Sequence, residues 1–299
     1  MTARGDVRLY LTLLVGVVAV SFAAIFIRLA DAPSIVIAAY RLTLASLIVA
    51  PAGFIRCWGE MKSLERQDVL FAMLSGVALS LHFALWIASL SYTTVASSVV
   101  FVATNPLFVG IASHLFTEDK VSRVMFSGII LAVLGGMIIG WDDMALGGRA
   151  LWGDLLALGG AAMAAGYFLA GRRLRPKVSL LAYISLVYSM AALGALALTA
   201  LAGESFTGYS SYTYLLFLLL AIGPQLIGHS SFNWALRHVS AAVVAVAILG
   251  EPVGSTILAY FILREAPTLL KIGGAALILG GIYFSLREER AERGMVIQN

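Results

Sequence analysis

Ten stretches of the chain are nearly unbroken runs of apolar side chains, at roughly 9–29, 34–55, 69–90, 95–116, 124–140, 152–170, 179–201, 212–235, 240–263 and 268–286. A helix needs about 20 such residues to cross the hydrocarbon core of a bilayer. The connections are short, and the polar ones, at 56–68 and 171–177, carry charges. The pattern predicts ten transmembrane helices with nothing left over for a soluble domain, an all-α integral membrane protein. Arg4 and Arg8 before Ala19-Val20-Ser21 give the first run the look of a signal peptide. The run is longer than the usual h-region and continues from Phe22 to Ile27, so it is read as a retained first helix.

Composition excludes the alternatives. Of 299 residues 61% are hydrophobic and only 12% charged, against about 25% charged in soluble domains, and the mean hydropathy is +0.94. Too much apolar surface is present for a water-soluble protein to bury. The single cysteine, Cys57, permits no intramolecular disulfide and no Cys-based metal site. No cofactor and no metal is expected. A net charge of +4 would suggest nucleic acid in a soluble protein, but here the basic residues sort by membrane side. With the N-terminus inside, the cytoplasmic segments hold fifteen: Arg4, Arg8, Arg56, Lys62, Arg66, Lys120, Arg123, Arg172, Arg173, Arg175, Lys177, Arg237, Arg287, Arg290 and Arg293. Only Arg28, Arg149, Arg264 and Lys271 fall outside, and Arg41 lies within a span. Both termini are therefore expected in the cytoplasm, in a bacterial-type inner membrane, with the lipid bilayer and a small-molecule substrate as partners and no nucleic acid. A monomer is compatible with this reading.

Sliding the sequence by 146 positions places Asn105-Pro106 on Glu251-Pro252, Asp119 on Glu265, Ser122 on Thr268, Gly128 on Gly274, Gly135 on Gly281, Leu90 on Leu236 and Phe22 on Phe168. The halves 1–145 and 146–299 thus read as five-helix repeats, and an odd number of spans forces them into opposite orientations. Chance matching of Leu/Gly-rich helices explains the glycines; it explains less well two helix-interior prolines, each followed thirteen positions later by an acidic residue.

These features resemble the drug/metabolite transporter superfamily, and within it the ten-helix EamA-type branch. The resemblance rests on the 5+5 arrangement, on Tyr40-Arg41-Leu42 early in the second span, and on Leu249-Gly250-Glu251-Pro252 in the ninth. It also rests on Leu263-Arg264-Glu265-Ala266-Pro267 leading into the stretch from Gly273 to Ile282. In general appearance the chain resembles the bacterial aromatic amino acid exporters of that branch. The first repeat departs from the second in carrying Asn105 where the second has Glu251.

Polar groups at membrane depth are costly and mark candidate sites. Gln225, His229 and Asn233 recur at i, i+4 and i+8 of the eighth span and share one helix face. His82 and Trp86 stand at the same spacing in the third. With Asn105, Tyr167 and Trp234 they are expected to line a central cavity. Interhelical glue is the competing account of the histidines. Glu251 is either a structural carboxyl or a proton-coupling group. Arg41 either snorkels or pairs structurally, or holds a substrate carboxylate through its bidentate fork. Pro106 and Pro252 are paired hinges or static kinks. The run from Gly159 to Gly166 thins the sixth span for close packing or for a ligand.

The function expected is a secondary transporter exporting amino acids, aromatic or other hydrophobic ones, or related small metabolites by alternating access. The substrate class comes from the resemblance. The repeat and the polar mid-membrane groups support alternating access by themselves. Efflux of lipophilic cations is the second transport reading, through Glu251 and the aromatic faces. An intramembrane enzyme is the distant alternative: it would need paired carboxylates, a nucleophile–base pair or a metal cluster at depth, and the chain offers His82 and His229 without paired membrane carboxylates or a His-x-x-x-His spacing. No Walker A pattern occurs, and nothing resembles a selectivity-filter loop.

Overall fold

The computed structural model describes residues 3–116, 123–145, 148–239 and 241–296. Asp119, Lys120 and Ser122 lie outside them, as do the side chains of Arg4, Arg123, Arg287, Arg290 and Arg293. All ten predicted spans are helical: α1 (Val7–Leu29), α2 (Ser34–Arg56), α3 (Arg66–Ser89), α4 (Val95–Ala112), α5 (Arg123–Ala145), α6 (Gly148–Leu174), α7 (Leu180–Leu201), α8 (Ser211–Ala235), α9 (Val243–Leu263) and α10 (Leu269–Val296). Eight are long and apolar enough to cross a bilayer, and α5 and α10 contribute the shorter apolar stretches Val133–Asp142 and Leu269–Gly281 among the described residues. Within a bilayer the backbone must satisfy its own hydrogen bonds, which is why this composition folds as helices throughout. Several helices run past the apolar segments. Helix α3 begins at Arg66 and carries Gln67 and Asp68 in its first turn, since polar side chains remain helical where they reach the headgroup region.

The packing has the symmetry the repeat predicts. Helix α3 packs on α6 and, as its counterpart under exchange of the halves, α8 packs on α1. Helices α2 and α7 pair with each other, as do α5 and α10, and these pairs are their own counterparts under exchange of the halves. The halves are inverted. Arg8 at the start of the first half lies over Trp234, while Arg149 at the start of the second lies over Tyr92 at the opposite end of the bundle.

Small residues set how closely the helices approach. A Cβ at Gly160 would stand 3.4 Å from the His82 carbonyl oxygen and 3.3 Å from the Trp86 Cβ. The glycine and alanine run of α6 is therefore a packing seam against α3. At the α5–α10 crossing, Gly135 meets Gly274 and Ile278, and Gly274 in turn meets Gly135 and Ile139. The contact is reciprocal, Gly135 and Gly274 each facing the other.

Two sets of ties close the ends of the bundle. At one end Arg28 donates to the Leu90 carbonyl at 2.6 Å and lies 3.8 Å from Glu265, whose other oxygen accepts from the Val95 backbone N–H at 2.7 Å. At the other, Arg172 donates to the Leu236 carbonyl at 2.8 Å, Lys177 pairs with Asp68 at 2.7 Å, and the Ser179 N–H reaches Glu60 at 2.6 Å. Leu90 and Leu236 are repeat partners, so each half latches the end of its first helix to the end of its third in the same way. The segments assigned to one side of the membrane by their charges thus meet at one end of the molecule.

Candidate functional site

Four helices are broken near mid-bundle, and proline or a polar side chain accounts for the local chemistry. Helix α4 opens at Ala103-Thr104, immediately before Asn105-Pro106. Proline at 106 has no N–H for the Val102 carbonyl. The Asn105 side-chain amide donates to that carbonyl at 3.4 Å, and the Thr104 hydroxyl takes the Phe101 carbonyl at 2.7 Å. Helix α9 turns at Leu249, just before Gly250-Glu251-Pro252. Helix α1 turns at Phe22, and the Ser21 carbonyl beside that turn accepts from the Ser255 hydroxyl of α9 at 3.0 Å. In α8 the stretch Ala221–His229 is π-helical around Pro224. The sequence spacing of Gln225, His229 and Asn233 presumed an α-helix. A wider π turn re-aims these side chains, and such bulges recur at functional sites.

Around these breaks lies a cavity shared by the halves. Arg41 from α2, His82 and Trp86 from α3, and Asn105 from α4 face His229 from α8 and Glu251 from α9. Val20, Ala23, Val102, Ala164, Phe168, Phe232 and Ile248 supply its apolar walls. The space open to centres of water-sized molecules is about 30 Å³. Roughly 10–15 Å³ of such space holds one water, so this conformation has room for about two.

Arg41 is the centre of the site. Its residue is fully buried, and Nε donates to Gln225 Oε1 at 2.9 Å. The guanidinium lies over the Phe83 ring, 3.9 Å from its centroid, and 6.0 Å from that of Trp86. Among the described residues Nη1 and Nη2 have no hydrogen-bond partner and no carboxylate lies within 4.0 Å of the group. Trp86 Nε1, Asn105 Oδ1, Gln225 Nε2 and His229 Nδ1 are likewise buried without partners among the described residues. His82 Nδ1 bonds the Gly160 carbonyl at 2.9 Å. A carbonyl only accepts, so that nitrogen carries a proton, and in a neutral ring Nε2 is an acceptor. His82 stacks on Trp86 at 6.0 Å and stands 6.3 Å from His229.

The structure places the sequence candidates in three groups. His82, Trp86, Asn105, His229, Arg41 and Glu251 line the cavity. Gln225, Tyr167 and Asn233 form a layer behind it: Gln225 holds Arg41, the Tyr167 ring packs 6.1 Å from His229, and Asn233 Nδ2 donates to the hydroxyls of Tyr167 at 2.6 Å and Tyr188 at 3.3 Å. Trp234 lies at the end of α8, its ring 4.3 Å from that of His238 and tilted to it, beneath Arg8 and away from the cavity. Neither Pro106 nor Pro252 reaches the lining, although both sit beside residues that do. Phe168 and Phe232 are the aromatic walls, where the sequence favoured Tyr167 and Trp234; both are small-residue neighbours in α6 and α8, a signal too common in membrane helices to single them out.

Comparison with known proteins agrees with this architecture. The model of the EamA-like transporter family matches twice, at residues 7–141 and 151–287. The chain is 24% identical over 237 residues to "Uncharacterized transporter YetK" of Bacillus subtilis (strain 168), covering 76% of this chain and 71% of that protein. It is 27% identical over 196 residues to an "Uncharacterized transporter" of Archaeoglobus fulgidus, covering 65% and 68%. A solved structure titled "Crystal structure of protein" superposes with a TM-score of 0.65 at 18% identity, over 95% of this chain and 98% of that one, a likeness of fold. With the family matched once in each half of a ten-helix bundle built around a mid-membrane cavity, the chain belongs to the EamA-like transporter family.

Proposed function

We propose that this membrane transporter exports amino acids, aromatic or other hydrophobic ones, from the cytoplasm by alternating access, with both termini cytoplasmic in an inner membrane. The observation that carries the reading is the cavity between the halves, where the Arg41 guanidinium and the Glu251 carboxyl face a wall that includes Phe168 and Phe232. An α-amino acid presents the matching set: one anionic group, one cationic group and an apolar side chain. Charged groups held this deep in a membrane protein mark substrate and ion pathways. Room for about two waters does not admit an amino acid, so the halves have to part to load it. The helix breaks beside Asn105 and Glu251 and the latches at both ends are suited to that movement. Lipophilic-cation efflux fits less well, because such a substrate would meet the Arg41 charge at the centre of the path.

Reconstitution into liposomes tests this. Counterflow of labelled L-phenylalanine, and of a panel of other amino acids, is expected in vesicles holding the protein and absent from empty ones. Extrusion of a lipophilic cation with no exchange of any amino acid would replace this reading with drug efflux.

A further inference from the structure

We propose that Arg41 anchors the substrate carboxylate through its end-on Nη1/Nη2 fork, with the substrate's ammonium group turned toward Glu251 and Trp86 Nε1 as an added donor to the anion. The proposal rests on the transport reading above and deepens it.

Three observations support it. First, the guanidinium is oriented by the protein and has no carboxylate in contact among the described residues. Its Nε is committed to Gln225 at 2.9 Å and one face is covered by Phe83 at 3.9 Å. A guanidinium binds a carboxylate bidentately either side-on through Nε or end-on through its two terminal nitrogens. The Gln225 bond closes the first mode, and the two unpartnered atoms are those of the second. Second, a buried cation with no anion in contact is strongly unfavourable. Such an arrangement persists where function requires it. Third, the lining carries a further unpartnered donor in Trp86 Nε1, whose ring centroid lies 6.0 Å from the guanidinium carbon, and Asn105 Oδ1 and Glu251 supply acceptors. The cavity thus offers both donors and acceptors. A zwitterion answers both without adding net charge. A phosphate dianion would add negative charge facing Glu251, and an amine lacking a carboxylate would leave Arg41 unanswered.

The test uses purified full-length protein and four probes that share a benzyl group: L-phenylalanine, phenylacetate, phenethylamine and benzylphosphonate. Binding is read as a shift in unfolding temperature, and exchange by counterflow in proteoliposomes. Phenylalanine and phenylacetate are expected to stabilise the wild type, with the amine and the phosphonate at least tenfold weaker. Arg41→Lys removes the fork and is expected to weaken both carboxylates on the order of 100-fold, while Trp86→Phe weakens them about tenfold, the range for hydrogen bonds to charged groups. If Arg41→Lys does not accumulate as folded protein, Trp86→Phe, which keeps an aromatic ring but removes the N–H, decides the matter.

The two readings fail differently. Amino acid exchange by the wild type with phenethylamine bound as well as phenylalanine, or with both variants unchanged, overturns the anchor and leaves the transport reading intact. Arg41-dependent binding of phenylacetate without exchange of any amino acid keeps the anchor and removes the amino acid assignment. Tighter binding of benzylphosphonate than of either carboxylate overturns the anchor, and failure of every carboxylate to bind or exchange overturns both.

Discussion

Gln225→Leu isolates the one hydrogen bond that holds the buried guanidinium. The substitution keeps the side-chain volume near that of glutamine and removes Oε1, the acceptor 2.9 Å from Arg41 Nε. The backbone carbonyl of Gln225, which accepts from the Tyr188 hydroxyl at 3.4 Å, is untouched. Every side-chain N–H of Arg41 is then without a partner among the described residues, because Nη1 and Nη2 already have none. Hydrogen bonds to charged groups contribute about 1.5–3 kcal/mol. At roughly 2–4 °C per kcal/mol for larger domains, the variant is expected to unfold several degrees below wild type, read by thermal unfolding in detergent with exchange measured in parallel. Gln225→Glu supplies the opposite perturbation. A carboxylate beside Nε neutralises the buried cation, so this variant is expected to unfold at or above the wild-type temperature. It nevertheless competes with a substrate carboxylate for the same positive charge, and exchange should fall at least tenfold. A Gln225→Leu protein that unfolds at the wild-type temperature, together with a Gln225→Glu protein that exchanges normally, would refute the reasoning that this bond holds Arg41 poised.

Two further outcomes test the fold. Gly274→Ala sets a Cβ 2.7 Å from the Gly135 carbonyl oxygen at the α5–α10 crossing, whereas a Cβ at Gly273 meets nothing within 4 Å; overpacking of this kind costs about 1–3 kcal/mol, so the yield of folded protein should fall for Gly274→Ala and hold for Gly273→Ala. In a Cys57→Ser background, a cysteine at Ser91 should react with an impermeant thiol reagent added to intact cells and one at Ser63 should not; the reverse pattern would invert the assigned orientation.

The sequence alone determined the class of molecule, the number and approximate limits of its helices and the inverted repeat. Each rests on a property carried by every residue of a long segment: apolar runs near bilayer length, short charged connections, and a duplication read over 146 positions. The charges also sorted the loops into two groups, and in the folded chain the described members of each group meet at one end. Which residues face the cavity was decided by tertiary structure. His82, Trp86, Asn105, His229, Arg41 and Glu251 were legible because a polar group at membrane depth must face protein or water. That rule does not separate the lining from the layer behind it. Gln225, Tyr167 and Asn233 satisfy it by holding Arg41, His229 and the tyrosine hydroxyls, and Trp234 satisfies it at the helix end beside Arg8. The π-helical turn around Pro224 was not legible either, since it changes the angular step along α8 and so the face each side chain presents. The end-on orientation of Arg41 depends on Gln225 from a helix 184 residues away in the chain and on Phe83 from a third helix. Such a constraint exists only once the three helices are packed, and no local pattern encodes it.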